Sequence, residues 1–149
     1  MFESPNQTEE ENIPMQEQIR VVIVDDHAGV REGIKKILVA ASDIVVIGEG
    51  ADGAEAVQLA QEHRPDVMLL DMELPVLRGD QVAQILRDTQ IRVKILAVSS
   101  YDDRSYVQSM VENGAMGYIT KDEASELLVE AVREVHAGKV AWMSPRVQK

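Results

Sequence analysis

Val67-Met68-Leu69-Leu70-Asp71 decides how this chain folds: four continuous apolar residues, then an acid. A strand with one wet face alternates apolar and polar positions. A run without alternation suits a strand covered on both faces, as in a parallel sheet. The design recurs on either side of this stretch. Upstream stand Val21-Val22-Ile23-Val24, closed by Asp25 and Asp26, and Ile44-Val45-Val46-Ile47, closed near Gly48. Downstream stand Ile95-Leu96-Ala97-Val98, closed by Ser99, and the shorter Gly117-Tyr118-Ile119-Thr120, followed by Lys121.

Between these runs the period becomes helical. Val30, Ile34, Ile37 and Leu38 repeat at helix spacing, with Arg31, Glu32, Lys35 and Lys36 opposite them. Ala54, Val57 and Ala60 form a weaker stripe that ends before Pro65. Val82, Ile85 and Leu86 form the third; Val107, Met110 and Val111 the fourth, stopped at Asn113-Gly114. Leu127, Leu128, Ala131, Val132 and Val135 form the fifth, stopped at Gly138. Alternating strand and helix define a doubly wound α/β sandwich with a five-stranded parallel sheet. Residues 1–18, acidic and poor in apolar residues, read as a disordered tail, residues 19–138 as one domain, and residues 139–149 as the start of a linker.

Composition narrows the function classes. The chain has 149 residues, 45% of them hydrophobic, enough for one packed domain. The absence of cysteine excludes disulfide, thiolate-zinc and thiol chemistry and fits a cytoplasmic location. A net charge of −11 argues against direct duplex binding and against docking on an anionic membrane. The longest apolar run is five residues, Ile37 to Ala41, far below the roughly 20 that span a bilayer. No apolar stretch follows a basic one at the N-terminus, so a secretory leader is not expected.

In an open parallel sheet, ligands bind outside the carboxyl ends of the strands. The residues there are Asp25, Asp26, Asp71 and Ser99, with Lys121 just beyond the fifth strand. Taken singly, each has a plain structural reading as a helix cap, a turn residue or a surface group. Taken together they place three carboxylates, a hydroxyl and an ammonium at one edge. Such acids repel unless a cation sits among them, and a hard divalent ion such as Mg2+ suits oxygen donors. A metal beside a lysine is a setting for phosphoryl transfer. His27, His63 and His136 lie far apart and show no ligand spacing, which leaves them as surface or packing residues. Gly48-Glu49-Gly50-Ala51-Asp52-Gly53 lacks the signature of a phosphate loop and reads as a flexible loop.

The motifs Val21-Val22-Ile23-Val24-Asp25-Asp26-His27, Asp71-Met72-Glu73-Leu74-Pro75-Val76-Leu77-Arg78-Gly79, Val98-Ser99-Ser100 and Gly114-Ala115-Met116-Gly117-Tyr118-Ile119-Thr120-Lys121 resemble a bacterial two-component response-regulator receiver domain. The resemblance covers about Ile19 to Gly138. It implies a flavodoxin-like three-layer sandwich, with Asp71 as the phosphoacceptor for a sensor histidine kinase. It further implies metal binding by Asp25, Asp26, Asp71 and the Glu73 carbonyl, and catalytic roles for Lys121 and Ser99. Ser99 and Tyr118 would form a switch, Tyr118 turning inward as Ser99 swings towards the phosphoryl group. Asp122, standing where many receivers have a proline after the lysine, together with Val135-His136-Ala137-Gly138-Lys139, resembles the NarL/FixJ type. That type implies a homodimer on phosphorylation and transcription control through a helix-turn-helix output domain beyond a linker. The chain would catalyse only its own phosphorylation and dephosphorylation. Two rival readings compete with it: a haloacid-dehalogenase-type phosphohydrolase, for which Asp71-x-Glu73 is a near miss, and a phosphorylation-independent binding module.

Overall fold

The computed structural model describes residues 17–148, so most of the expected N-terminal tail lies outside the described residues. Strands and helices alternate: β1 (Ile19–Val24), α1 (Ala28–Val39), β2 (Ile44–Gly50), α2 (Gly53–His63), β3 (Val67–Leu70) and α3 (Gly79–Asp88), then β4 (Lys94–Ser99), α4 (Arg104–Glu112) and β5 (Gly117–Thr120). A 3-10 turn, Lys121–Glu123, leads into α5 (Ala124–His136), and β6 (Trp142–Met143) follows. The sheet is parallel throughout, in the order β2-β1-β3-β4-β5-β6.

The unbroken apolar runs split by parity between two cores. Val21, Ile23, Val67, Leu69, Leu96, Val98 and Ile119 face one side, where Ile34 and Leu38 of α1 meet Leu128, Val132 and Val135 of α5. Val22, Val24, Met68, Leu70, Ile95, Ala97 and Tyr118 face the other, against α2, α3 and α4. This is the three-layer sandwich expected, for the reason expected: both sheet faces are covered, so the central strands β3 and β5 are buried throughout, while the edge strand β2 keeps Glu49 exposed. Each fully buried aliphatic side chain in these layers contributes about 2 kcal/mol. The cores therefore carry the stability, and the strand ends can hold charges that repel.

Three details differ from the sequence reading. The sheet has six strands, because Trp142 and Met143, placed in a linker above, pair with Gly117 and Tyr118. The Trp142 N–H donates to Met116 O at 2.9 Å and the Ser144 N–H to Tyr118 O at 3.1 Å. Trp142 joins the α1–α5 core, which gives this segment an apolar reason to return to the sheet. Gly48 to Gly50 are not a loop; they extend β2 and pair with Val22, Ile23 and Val24 after an irregularity in register. The α2 stripe is Gly53, Ala56 and Ala60, while Ala54 is exposed and Val57 half-buried. Small residues there let α2 pack closely. Gly114 and Gly138, with φ of 104° and 97°, end α4 and α5 in the left-handed conformation that glycine adopts without strain.

Candidate functional site

Strand order reverses around β1, which has β2 on one side and β3 on the other, and this opens a crevice at the carboxyl ends. Asp25 and Asp71 enter it directly from β1 and β3. Their backbones are fixed by sheet bonds: Asp25 N–H to Gly50 O and Asp71 N–H to Val24 O, both at 3.1 Å. Both residues are buried, at 2% and 4% exposure. Lys121 arrives from the turn after β5. Its Nζ lies 2.6 Å from Asp25 Oδ2 and 3.1 Å from Asp71 Oδ2. Asp25 Oδ1 accepts the His27 N–H at 2.9 Å, and Asp71 Oδ1 the Glu73 N–H at 3.3 Å.

Burial pushes the Asp71 carboxyl above its ordinary value, and the neighbouring Asp25 charge adds to this; Lys121 and the Glu73 N–H offset only part. Burial works against the Lys121 ammonium, but the hydrogen bonds and charges of Asp25 and Asp71 outweigh it and hold the lysine pKa above normal. Three carboxylates (Asp25, Asp26, Asp71) against one ammonium leave two negative charges when all are ionised. Asp26 is the least shielded, with a side chain 34% exposed. It opens into a cleft of about 370 Å³ lined by Asp71, Glu73, Pro75, Ser100, Tyr101 and Lys121 among others. Hard oxygen donors with an uncompensated double charge fit a divalent cation such as Mg2+.

His27, read from the sequence as a surface or packing residue, is exposed and stands beside two of the acids. Its Nδ1 lies 3.0 Å from Asp26 Oδ1 and 3.4 Å from Asp25 Oδ1. Asp25, Asp26 and His27 are the one group of three among the described residues whose ligand atoms lie within 4.8 Å of one another. Spacing between histidines does not register adjacency to two acids. Glu73 is exposed, with its side chain towards α4, where it raises the Tyr106 phenol.

Ser99, which ends β4, is completely buried. Its Oγ accepts the Tyr101 N–H at 3.1 Å, while the Tyr118 hydroxyl donates to Tyr101 O at 2.7 Å. The backbone of Tyr101, unremarked in the sequence, thus joins the two expected switch residues. The Tyr118 ring already lies inward, 0% exposed, so the inward turn that the resemblance implies is in place without a phosphoryl group, and burial pushes its phenol up to about 12 despite a counteracting Ser99 hydrogen bond. The Tyr101 and Tyr106 rings stack beside it, 5.0 Å apart and 18° from parallel.

A buried acid pair bridged by lysine, at the switch point of a parallel sheet, defines a class, and comparison with known proteins agrees. The sequence profile of the response regulator receiver domain matches residues 21–133, and the chain belongs to that family. Within it, the likeness is to the NarL and DegU kind of two-component regulator. The transcriptional regulatory protein DegU of Brevibacillus brevis is 38% identical over 130 residues, covering 87% of this chain and 55% of that protein. The solved signal receiver domain of the putative response regulator NarL from Mycobacterium tuberculosis is 37% identical, with TM-score 0.79, covering 82% of this chain and 98% of that one. A LuxR-family response regulator from Aurantimonas sp. SI85-9A1 is 32% identical, with TM-score 0.83 and coverage of 88% and 93%. The chain spans only 55–58% of the length of the first curated relatives it matches. Among the described residues no helix is long and apolar enough to cross a membrane.

Proposed function

We propose that this receiver takes a phosphoryl group from a sensor histidine kinase onto Asp71, with Mg2+, and relays the change through Ser99 and Tyr118. The observation that carries the reading is the Lys121 ammonium between two buried carboxylates, 2.6 Å from Asp25 and 3.1 Å from Asp71. In the transfer, an Asp71 oxygen attacks phosphorus as the bond to the donor imidazole nitrogen breaks, and that nitrogen keeps the electron pair. The carboxylate and the phosphoryl group are both anionic, so their approach is unfavourable until charge is offset. Lys121 supplies one positive charge and holds Asp71 in place; Asp25, Asp26, Asp71 and the Glu73 carbonyl would hold the cation. When bound, Mg2+ neutralises the incoming oxygens and aligns them for in-line transfer. Uptake of beryllofluoride, a phosphoryl mimic, tests the site: tight binding that needs Mg2+ and Asp71 supports the reading, and none in wild type overturns it.

Transmission would run through Tyr101. Ser99 leaving the Tyr101 N–H for a phosphoryl oxygen frees the loop whose carbonyl anchors Tyr118, a two-state arrangement biased by a new charge. Ser99→Ala is therefore expected to permit phosphorylation while blunting its effect at Tyr118. NMR of the Tyr118 ring, with and without beryllofluoride, checks this; equal responses in wild type and Ser99→Ala would remove Ser99 from the relay.

The cytoplasm is the compartment such a relay implies. Control of transcription by an output domain is proposed from the likeness to proteins named as transcriptional regulators, and dimerisation on phosphorylation from the family resemblance. The 149-residue chain itself is expected to bind no duplex DNA specifically. Its charge of −11 opposes phosphate contacts, and its described helices α1 to α5 are committed to covering the sheet. Saturable, sequence-dependent anisotropy changes at low salt would contradict this.

A further inference from the structure

Lys121 is the first residue of a three-residue 3-10 turn, a structure with little stability of its own. The lysine can bridge Asp25 and Asp71 only if that turn is held, and what holds it comes from beyond α5. One carboxylate, Glu123, gathers four donors. Its Oε1 accepts the Thr120 hydroxyl at 2.8 Å, the Thr120 N–H at 3.3 Å and the Ser144 hydroxyl. Its Oε2 accepts the Arg146 N–H at 3.1 Å. Thr120 is 3% exposed and Ser144 fully buried, so the three bonds to Oε1 are partly shielded from water, while the Arg146 bond to Oε2 lies at the surface. Burial raises the Glu123 carboxyl, but the donors from Ser144, Arg146 and Thr120 prevail and hold it below the ordinary range. On the outside, Arg146 Nη1 pairs with Asp122 at 2.9 Å, and on the inside the Ser144 N–H bonds to Tyr118 O.

Residues 118, 120, 122 and 123 are thus clasped by 144 and 146, with Lys121 at the middle of the clasp. Resting on the phosphoacceptor reading above, we propose that Glu123 and Ser144 are positioning residues for Lys121. The segment Trp142–Arg146 thereby completes the phosphoryl-accepting site from behind and ties its readiness to the chain that follows α5. The bonds reach the turn, not the reacting atoms; a displaced turn would let the ammonium swing off the line between Asp25 and Asp71. Movement of Lys121 towards a phosphoryl group would in turn pull on Ser144 and Arg146, a direct route for the signal out of the domain.

The test uses the whole 149-residue chain with Ser144→Ala, Ser144→Thr, Glu123→Ala and Glu123→Gln. Phosphorylation by acetyl phosphate is timed, and the ε-methylene resonance of Lys121 is followed by NMR. Ser144→Ala and Glu123→Ala should slow uptake roughly 10-fold, the scale of losing an outer-shell partner, and shift the lysine signal towards that of a solvated lysine. Ser144→Thr keeps the hydroxyl and should stay near wild type. Where an alanine variant does not fold, Glu123→Gln decides, since it keeps the shape but turns an NH2 towards a donor. Slower uptake with a shifted lysine signal supports the clasp. Folded variants with wild-type uptake and an unmoved Lys121 signal overturn it. Wild type that takes up no phosphoryl group at all overturns the phosphoacceptor reading instead.

Discussion

Asp71→Asn is expected to fold and to take up no phosphoryl group from any donor. The amide is nearly isosteric with the carboxylate and still offers an oxygen to Lys121 Nζ, so the 3.1 Å contact has a successor. It lacks the anionic lone pair that attacks phosphorus, and no other carboxylate is as well placed: Asp25 is buried under Lys121 and the His27 N–H. The expected loss is complete to background by phosphate-affinity electrophoresis. Stability should move the other way with pH. Burial raises the folded-state pKa of Asp71 above its ordinary value, so the folded form holds its proton where the unfolded form has lost it. Wild-type stability therefore falls as pH rises through the interval from the unfolded value to the raised one. Asp71→Asn lacks that fall, and urea unfolding from pH 4 to pH 7 should show a shallower loss than wild type. An identical pH slope in the two proteins would deny the burial argument.

Gly79→Ala should be among the most damaging single methyl additions. A Cβ at Gly79 would overlap the Asp71 carbonyl oxygen and lie 2.9 Å from Met72 Cα and 3.1 Å from the Asp71 carbonyl carbon. All three are backbone atoms, so no side-chain rotation relieves the clash. The first turn of α3 must move away from the strand end that presents Asp71. The expected cost is about 3 kcal/mol, at the upper end for overpacking and a large share of the roughly 5–15 kcal/mol a domain has. Phosphoryl uptake should fall with it. Gly29→Ala and Gly33→Ala are the contrast. Neither Cβ would meet anything within 4 Å, both sit in α1, and each should stabilise by about 0.5–1 kcal/mol from helix propensity alone. Chemical denaturation of the three variants checks both signs, and a harmless Gly79→Ala would refute the close approach.

The strands were legible because burial on both faces forces continuous apolar runs, and the acids were legible because each follows such a run directly. Val67 to Asp71 shows both at once. What stayed hidden depended on pairing across distance. Trp142 and Met143 form only two ladder pairs, too short for any periodic signal. Nothing in the local sequence marks Glu123, because its partner Ser144 stands 21 residues away. Ala56 was missed as the buried position of α2 because an alanine stripe carries little hydrophobic contrast. Tyr101 joins Ser99 to Tyr118 through its backbone, which a sequence does not display. His27 follows its two acids directly in the chain, but the spacing between histidines carries no trace of that contact.

The most direct measurement is intact mass and peptide mapping of the wild-type chain after acetyl phosphate, with Mg2+ or with excess chelator. The account predicts the mass gain of a single phosphoryl group with Mg2+, on the peptide carrying Asp71, and no gain in chelator, because the two anions cannot approach without the cation. A gain that persists in chelator, maps to another residue or survives in Asp71→Asn would contradict it.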